Sequence, residues 1–264
     1  MLFNGGFRLR IDAILSLALI AWFMSLATAE LISARKRQDA EPVGNARLIT
    51  NFGLGISIML ASGFQPLAKV GSSMIGQAFG LGLAGEFALP WIVMLAVLLI
   101  VESFASYWTH RAMHALPPLW RIHRVHHADS AVDVSTSLRH HPLELAVTLP
   151  VSALIILAIG APVSAVVASQ TIMTAASIFQ HADIGFPRLE RALGKWLVTP
   201  EIHRLHHSPE QQLHDGNYGD LIILWDRLFG TFNRSAGRVR VGLDDQLSRP
   251  DDLLEQILSP VRAG

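Results

Sequence analysis

The longest stretch of the chain without an ionisable side chain, residues 145–180, reads LAVTLPVSALIILAIGAPVSAVVASQTIMTAASIFQ. A helix needs about 20 apolar residues to cross the hydrocarbon core of a bilayer. Gly160 and Pro162 interrupt the run near its middle, and both residue types favour turns. Residues 145–179 therefore predict a helical hairpin whose two ends lie on the same side of a membrane. Each arm would be about 24 Å long, which suits a pair that dips deeply into the bilayer or crosses it where it is thin.

Four more charge-free apolar runs precede this hairpin, at residues 13–29, 48–68, 70–85 and 87–101. Apolar residues make up 51% of the 264 residues, and the mean hydropathy is +0.38, which is too apolar for an ordinary soluble domain. The run at 70–85 is rich in Gly and Ser and fits an interfacial or re-entrant segment. The sequence thus predicts an all-α integral membrane protein with about four transmembrane or membrane-embedded helical segments.

Charge and cysteine content exclude several kinds of function. The 21 basic residues balance the 21 acidic ones, and the chain has no basic tail or stripe, so the sequence gives no sign of nucleic-acid binding. The absence of cysteine excludes a disulfide scaffold, a thiol nucleophile and any metal site held by Cys. Nitrogen and oxygen atoms would have to hold any metal ion.

The first apolar run resembles a signal peptide, because Arg8 and Arg10 precede it and small residues follow. The run is long, however, and Glu30 and the basic residues 35–37 flank its far side. This flank favours a retained helix over a cleavage site. We therefore expect residues 1–90 to form N-terminal membrane helices.

All 12 histidines of the chain lie between His110 and His214. Most of them stand at spacings of three and four residues, which place side chains on one face of a helix. The HxxxH pair and the two HxxHH triplets are His110 and His114, then His123, His126 and His127, then His203, His206 and His207. Neutral imidazole is a good ligand for iron, zinc, copper and nickel. These eight histidines are more than one four-coordinate ion can use, so two metal ions are predicted.

Four other histidines are ambiguous from sequence alone. His141 precedes Pro142 at the start of the longest apolar run and is a candidate ligand or supporting group, whereas His140 beside it is a weaker candidate. His181 directly follows that run, near the expected membrane surface, and is a candidate ligand. His214 stands in a polar segment and is interpreted as solvated.

Membrane topology provides a separate test, because all ligands of one site must lie on one side of the bilayer. Pro90 to about Leu116 predicts one helix that outruns the hydrocarbon core, so that its histidines project from the membrane. Two crossings separate the basic residues 35–37 from this cluster, which puts both on the same side. Together with Arg47 they outweigh Arg8 and Arg10, so the histidines are expected to face the cytoplasm.

One glycine motif at residues 80–85 matches GxGxxG, which in soluble proteins can mark dinucleotide binding. That function needs a strand before the motif and a βαβ alternation, and neither is predicted here. Close helix packing through small residues is the favoured interpretation.

The order of these motifs resembles the fatty acid hydroxylase and sterol desaturase superfamily, over about residues 95 to 233. The resemblance adds three features to the histidine boxes: the segment RHHPLE at 139–144, TPEIHRLHH at 199–207, and NYGD at 217–220 followed by WDRLFGT at 225–231. It implies a membrane-embedded helical enzyme whose cytosolic His-rich cap holds two iron ions, with zinc as a possible substitute. Such an enzyme uses O₂ and external electrons to hydroxylate or desaturate a membrane lipid.

The resemblance also implies a set of metal ligands, with no catalytic residue beyond them. The set comprises His110, His114, His123, His126, His127, His141, His181, His203, His206 and His207, and the role of His141 varies in the family. Asn217, Tyr218, Gly219, Trp225 and Asp226 match its C-terminal signature and are expected to pack and orient the cap. Asp226 is a candidate acceptor for a ligand imidazole.

The predicted organisation has residues 91–233 as the His-rich domain, which includes the hairpin, and residues 234–264 as a C-terminal tail. The electron donor would be a separate reductase, ferredoxin or cytochrome b5-like partner, since no haem attachment motif or Cys cluster is present. Two other functions stay open: a membrane zinc hydrolase, and a non-enzymatic metal transporter or haem protein. The lipid, and the choice between an alcohol and an alkene as product, are also open.

Overall fold

The computed structural model describes residues 5–36, 44–61, 65–83, 87, 89–185, 187–234, 239–244 and 249–262. These residues are almost entirely helical and contain no strand, only an isolated antiparallel bridge between Leu197 and Ile222. The α-helices are α1 (Gly5–Lys36), α2 (Asn45–Ala61), α3 (Gln65–Ala78), α4 (Trp91–Ala115), α5 (Pro117–His127), α6 (Leu145–Ile159), α7 (Val163–His181), α8 (Pro187–Leu193), α9 (Pro200–His206), α10 (Gln211–His214), α11 (Leu224–Leu228) and α12 (Leu253–Arg262). Two short 3₁₀ helices span Val134–Leu138 and Pro142–Glu144.

Four segments are long and apolar enough to cross a membrane: Ala13–Ser33, Trp91–Ala115, Pro142–Ile159 and Val163–His181. Large apolar side chains on them point outward; Leu17 in α1 is 65% exposed and Ile92 in α4 is also 65% exposed. Such surfaces are costly in water and favourable against lipid. The predicted all-α architecture with about four membrane helices is confirmed.

The predicted hairpin is formed by α6 and α7. Gly160 ends α6 in the left-handed conformation with φ of 69°, and Pro162 caps the start of α7. A second turn packs on this one, since a Cβ atom at Gly82 would stand 2.5 Å from the Gly160 nitrogen. Small residues thus allow close backbone packing at this end of the bundle, as expected from the glycine motif, of which residues 84 and 85 lie outside the described ranges.

Helix α4 packs against both arms of the hairpin around a buried apolar core. The predicted helix from Pro90 to Leu116 is confirmed within one residue at each end. The core at the turn end of the bundle consists of Met94, Leu98, Ile156, Ile159, Ala161, Ala165 and Val166. Because α4 is parallel to α7, the C-termini of both helices lie on the same side. His110 and His114 lie near the C-terminus of α4, and His181 is the last residue of α7.

The apolar run at residues 48–68 forms parts of two helices rather than one. Pro66 stands in the first turn of α3, where proline is favoured because the missing N–H has no helical acceptor. Asn51 of α2 donates to Asp129 at the histidine end of the bundle, whereas Ser73 of α3 donates to the Ala161 carbonyl at the hairpin turn. The two helices therefore run the length of the bundle in succession. Arg47 lies at the histidine end, as the topology predicted.

The C-terminal segment, which the sequence suggested as a tail, contains α12. This helix packs against α2 and α5 at the histidine end of the bundle. The basic residue at position 37, which entered the topology prediction, lies outside the described residues.

Candidate metal centre

Four separate helices bring histidines to one end of the bundle. Helix α4 carries His110 and His114, and α5 begins two residues after α4 ends and carries the first HxxHH triplet. Helix α7 ends on His181, and α9 carries the second triplet, with His207 as its C-cap. Pro117 and Pro200 each stand at the start of the helix that bears a triplet, which fixes where each triplet begins.

Nine of the twelve histidines form two groups, each with ligand atoms within 4.8 Å of one another, and two smaller clusters adjoin the first group, His114 with His214 and Asp215, and His123 with His140 and Glu144. Group I consists of His110, His114, His123, His127 and His206. Group II consists of His126, His181, His203 and His207. The groups are adjacent, because the ring centroids of His127 and His207 are 4.6 Å apart.

Helix geometry explains how each HxxHH triplet serves both groups. Residues i and i+4 are about 40° apart around a helix, whereas i+3 lies about 60° to the other side of residue i. In α5 the i and i+4 residues, His123 and His127, join group I, and His126 joins group II. In the second triplet the assignment is exchanged, since His206 alone joins group I. Each triplet therefore contributes ligands to both of the neighbouring candidate metal sites.

Backbone carbonyls fix the orientation of four of these rings. The Nδ1 atoms of His110 and His206 lie 2.8 Å and 2.7 Å from the carbonyl oxygens of Tyr218 and Gly216. In group II, the Nδ1 of His126 is 3.0 Å from the Arg139 carbonyl oxygen. That of His181 is 2.7 Å from the Ser177 carbonyl oxygen. A carbonyl only accepts, so each Nδ1 must carry the proton and donate it. The Nε2 of each neutral ring is then a bare lone pair.

These bare lone pairs face each other. The Nε2 atoms of His110 and His206 are 2.9 Å apart, and those of His126 and His181 are 3.2 Å apart. Neither pair has a proton to share, so the contacts are repulsive unless a cation lies between the nitrogens. Two nitrogens about 2.1 Å from one ion and about 90° apart stand about 3.0 Å from each other. The donor sets of both groups therefore fit a bound metal ion.

Burial favours the neutral form of one ligand imidazole in each group. Desolvation lowers the pKa of His126 and of His206 well below the ordinary histidine value, and neighbouring imidazoles add to the effect. Both ring nitrogens of His127 are buried without a hydrogen-bond partner among the described residues. An unpaired buried polar atom is costly, and coordination to a metal would satisfy it. The rings of His126 and His206 are thus in the protonation state that metal binding requires.

Glu144 supports the centre, and sequence reasoning missed it. Its carboxylate lies 3.4 Å from the Nδ1 of His123 and 3.0 Å from that of His140. The His140 ring in turn stacks on His126 at 4.3 Å. A carboxylate that holds a ligand imidazole raises the basicity of the ligand and fixes its orientation. The sequence signals were its position at the start of the longest apolar run and its place in the segment RHHPLE at 139–144, but neither gave it a role.

Two of the four backbone carbonyls that orient the histidine rings belong to the loop around Asn217. Asn217 has φ of 54°, a left-handed conformation that Asn tolerates better than most residues. Its side chain donates to the carbonyls of Ile202 and Asn233, which holds the loop on α9. The conformation directs the carbonyls on either side, those of Gly216 and Tyr218, toward group I.

The prediction that Asp226 accepts a hydrogen bond from an imidazole is wrong. Its carboxylate accepts from the backbone N–H groups of Tyr218 and Gly219 and from the Thr231 hydroxyl. These bonds use both oxygens. Asp226 therefore stabilises the loop that orients group I and does not touch the histidines directly.

Replacing Asn217 by valine should loosen this loop, because a β-branched residue is strained at a positive φ. We expect the Asn217→Val variant to lose group I metal, with a roughly 10–100-fold lower affinity, as for other supporting contacts. The Asn217→Gly variant, which tolerates the backbone conformation, should be affected less. Metal titration of the purified variants measures both affinities; equal losses in the two variants would contradict the backbone explanation.

Of the ten predicted ligands, nine lie in the two groups and His141 does not. Its Nδ1 accepts from the Leu143 N–H at 3.1 Å, and its Nε2 is 3.0 Å from the Ile257 carbonyl oxygen. Both nitrogens are therefore engaged away from the groups. The interpretation of His214 as solvated is wrong. Helix α10 folds back so that the half-buried His214 ring lies 4.7 Å from that of His114.

A cavity of about 310 Å³ extends from the histidines between the membrane helices. Rings of both groups line it, including those of His110 and His181. Apolar side chains of α4, α6 and α7 follow, such as Met113, Val151 and Met173. Hydroxyl side chains such as Thr148 and Ser177 line it as well, so that a space of mixed polarity between membrane helices leads to the two candidate metal sites.

Comparison with known proteins agrees with this architecture. A family model described as fatty acid hydroxylase matches residues 95–231. The ornithine lipid hydroxylase of Rhizobium tropici is 25% identical over 171 residues, which cover 61% of this chain and 51% of the relative. Human alkylglycerol monooxygenase is 28% identical over 226 residues, or 84% of this chain and 48% of the relative. The zebrafish (Danio rerio) alkylglycerol monooxygenase is 33% identical over 159 residues, which cover 58% of this chain and 32% of the relative.

The chain thus spans about half, or less, of the length of these relatives. No solved structure is significantly similar to it. The matched segment contains every histidine of the two groups and makes up more than half of the 264 residues. This chain therefore belongs to the fatty acid hydroxylase family.

Proposed function

We propose that this chain is an O₂-dependent di-iron oxidoreductase that hydroxylates or desaturates an unactivated C–H position of a membrane lipid. The observation that carries the proposal is the pair of buried histidine groups at the end of a cavity between membrane helices. The names of the relatives, which are lipid hydroxylases and monooxygenases, support the same type of reaction.

The nine histidines of groups I and II would hold the two ions, with five imidazoles in one set and four in the other. Two iron ions with O₂ supply an oxidant strong enough to attack an unactivated C–H bond, which amino-acid side chains alone do not provide. Imidazole is also a good ligand for zinc, which is a possible substitute in preparations of the protein.

The chain's own residues would hold the ligands and position the substrate. The carbonyls of Tyr218, Gly216, Arg139 and Ser177 hold four Nδ1 protons, so that each Nε2 stays available to metal. The cavity between the membrane helices, which Met113, Val151 and Met173 help to line, would admit a hydrocarbon chain sideways from the bilayer. Such a site aligns one carbon of the substrate with the metal centre.

We also propose that the histidine end faces the cytoplasm and that a separate electron donor docks there. Arg47 contacts Asp129, two residues after His127, so this basic residue lies on the same side as the histidines. Basic residues near membrane helices favour the cytoplasmic side. A separate reductase, ferredoxin or cytochrome b5-like protein would supply the electrons, since the chain contains no cysteine for an iron–sulfur cluster.

The proposal is tested with the iron-loaded chain in lipid nanodiscs, an electron donor and ¹⁸O₂. We expect lipid products that carry one ¹⁸O atom, or products that lack two hydrogens, formed only when donor and O₂ are both present. Comparison of lipids from cells with and without the gene would identify the natural substrate. Turnover without O₂ or donor, or lipid hydrolysis by the zinc-loaded protein, would contradict the proposal.

A further inference from the structure

A second polar cluster lies deep between the membrane helices, far from the histidines. It consists of Lys69 on α3, Glu102 on α4, and Ser169 and Gln170 on α7. Lys69 and Glu102 are only 9% and 6% exposed, and Ser169 is fully buried. Charged residues inside a membrane protein are expensive, and they commonly mark a path or site for a substrate.

Hydrogen bonds connect the cluster across three helices. The Lys69 ammonium donates to the Gln170 side-chain oxygen. The Gln170 amide donates to Glu102 at 2.9 Å, and the Ser169 hydroxyl donates to the other Glu102 oxygen at 2.6 Å. Both carboxylate oxygens are thus engaged, whereas Lys69 has three N–H groups and one recorded acceptor among the described residues. The remaining N–H groups of Lys69 are therefore available to donate hydrogen bonds to an oxygen atom of a ligand.

The cluster and the histidines line the same cavity. Glu102 precedes His110 by eight residues on α4, which corresponds to about 12 Å along the helix. Gln170 precedes His181 by 11 residues on α7, or about 16 Å. The cavity therefore has the proposed metal centre at one end and a polar donor at the other, and both apolar side chains such as Val151 and hydroxyl side chains such as Thr174 also line it.

We propose that Lys69 and Gln170 bind the polar end of the lipid substrate, through a neutral oxygen acceptor such as a hydroxyl or a carbonyl. A neutral acceptor fits because Glu102 already balances the charge of Lys69, and a further anion would leave a net buried charge. Bound in this way, the lipid presents to the histidines a carbon remote from its polar oxygen. The inference rests on the proposed lipid oxidation and adds the class of substrate and its direction in the cavity.

The test uses photoaffinity labelling of the full chain in phosphatidylcholine nanodiscs. The probe is a 16-carbon alcohol with a diazirine beside the hydroxyl, and its control is the same molecule without the hydroxyl. The alcohol probe should label peptides that contain Lys69 or Gln170, and unlabelled 1-hexadecanol should compete whereas hexadecane should not. Equal labelling by both probes would overturn the inference, as would stronger competition by hexadecanoate than by hexadecanol.

Variants give a second readout. Lys69→Met alone would leave Glu102 buried without its counter-ion, so the informative variant is the double substitution Lys69→Met/Glu102→Gln. Its labelling by the alcohol probe should fall about tenfold or more, as expected when a hydrogen bond to a charged donor is lost. The exposed Lys195 provides the matched control, and Lys195→Met should label like the unaltered protein. Unchanged labelling of a folded double variant would overturn the inference. If the double variant does not fold, the competition between hexadecanol and hexadecane on the unaltered protein decides whether the inference holds.

This labelling needs no metal, O₂ or electrons, so it separates the two proposals. Metal content and lipid oxidation of the same preparations test the proposed function. Oxidation without hydroxyl-dependent labelling would refute the polar anchor alone. Hydroxyl-dependent labelling of a protein that binds no iron even after reconstitution would refute the di-iron enzyme alone.

Discussion

Replacing His206 by alanine is expected to remove metal from group I and to lower lipid oxidation by more than about 100-fold. Supporting residues of metal sites typically contribute 10–100-fold to affinity or activity, and a direct ligand should contribute more. His206 is fully buried, and its Nε2 atom faces that of His110 at 2.9 Å. The equivalent loss in group II is expected for His126→Ala. Metal analysis and product quantification of each purified variant measure the two effects.

His141 provides the matched control for both substitutions. It is a buried histidine in the same region, but its ring nitrogens bond to the backbone of Leu143 and Ile257. The His141→Ala variant should retain its metal and lose only the stability of these hydrogen bonds, about 1–3 kcal/mol. Loss of metal from His141→Ala, or its retention in both His126→Ala and His206→Ala, would contradict the assignment of the two groups.

Replacing Arg47 by methionine should destabilise the histidine end of the bundle by about 3–5 kcal/mol. Arg47 is 2% exposed and donates to both oxygens of Asp129, at 2.9 Å and 2.8 Å. Asp129 is fully buried and also accepts from Asn51 and Thr136. Without Arg47 the buried Asp129 carboxylate would lose its direct ion-pair partner. We expect a fall of the order of 10 °C in the unfolding temperature of the protein in detergent.

An exposed ion pair gives the control for this prediction. Arg240 and Asp244 form such a pair, with side chains 70% and 61% exposed. Surface pairs contribute about 0–1 kcal/mol, so Arg240→Met should leave the unfolding temperature nearly unchanged. The double variant Arg47→Met/Asp129→Asn should recover part of the lost stability, because it also removes the stranded charge. Similar unfolding temperatures for Arg47→Met and Arg240→Met would show that burial does not govern the effect.

Local chemistry made the membrane helices predictable. The turn between α6 and α7 follows from Gly160 and Pro162, and the extent of α4 follows from Pro90 at one end and Pro117 at the other. The break between α2 and α3 was not predicted, because residues 48–68 read as one uninterrupted charge-free run. Pro66 was the available signal for a helix start inside that run.

The histidine spacings predicted shared helix faces but not the two groups. Which ring joins which group depends on how α5 crosses α9, and a single sequence does not give that crossing. His141 and Asp226 were misjudged for a related reason. The partner of His141 is the carbonyl of Ile257, 116 residues later in the chain. Asp226 does support the centre, but through the backbone of Tyr218 and Gly219.

The polar cluster in the membrane shows the same limit. Lys69 and Glu102 were visible only as rare charges among apolar residues. Their connection through Gln170 joins positions 101 and 68 residues apart in sequence. Long-range contacts of this kind depend on the packed structure, whereas helix ends and turns depend on neighbouring residues.

Nine histidines from four helices are proposed to hold two iron ions, and the iron content of the purified chain tests this assignment most directly. Protein expressed with ample iron and purified without chelators should contain about two ions per chain, one for each group. The His206→Ala and His126→Ala variants should each contain about one ion or fewer. An iron content near zero in the unaltered protein, after iron reconstitution, would contradict the account, as would about two ions in both variants.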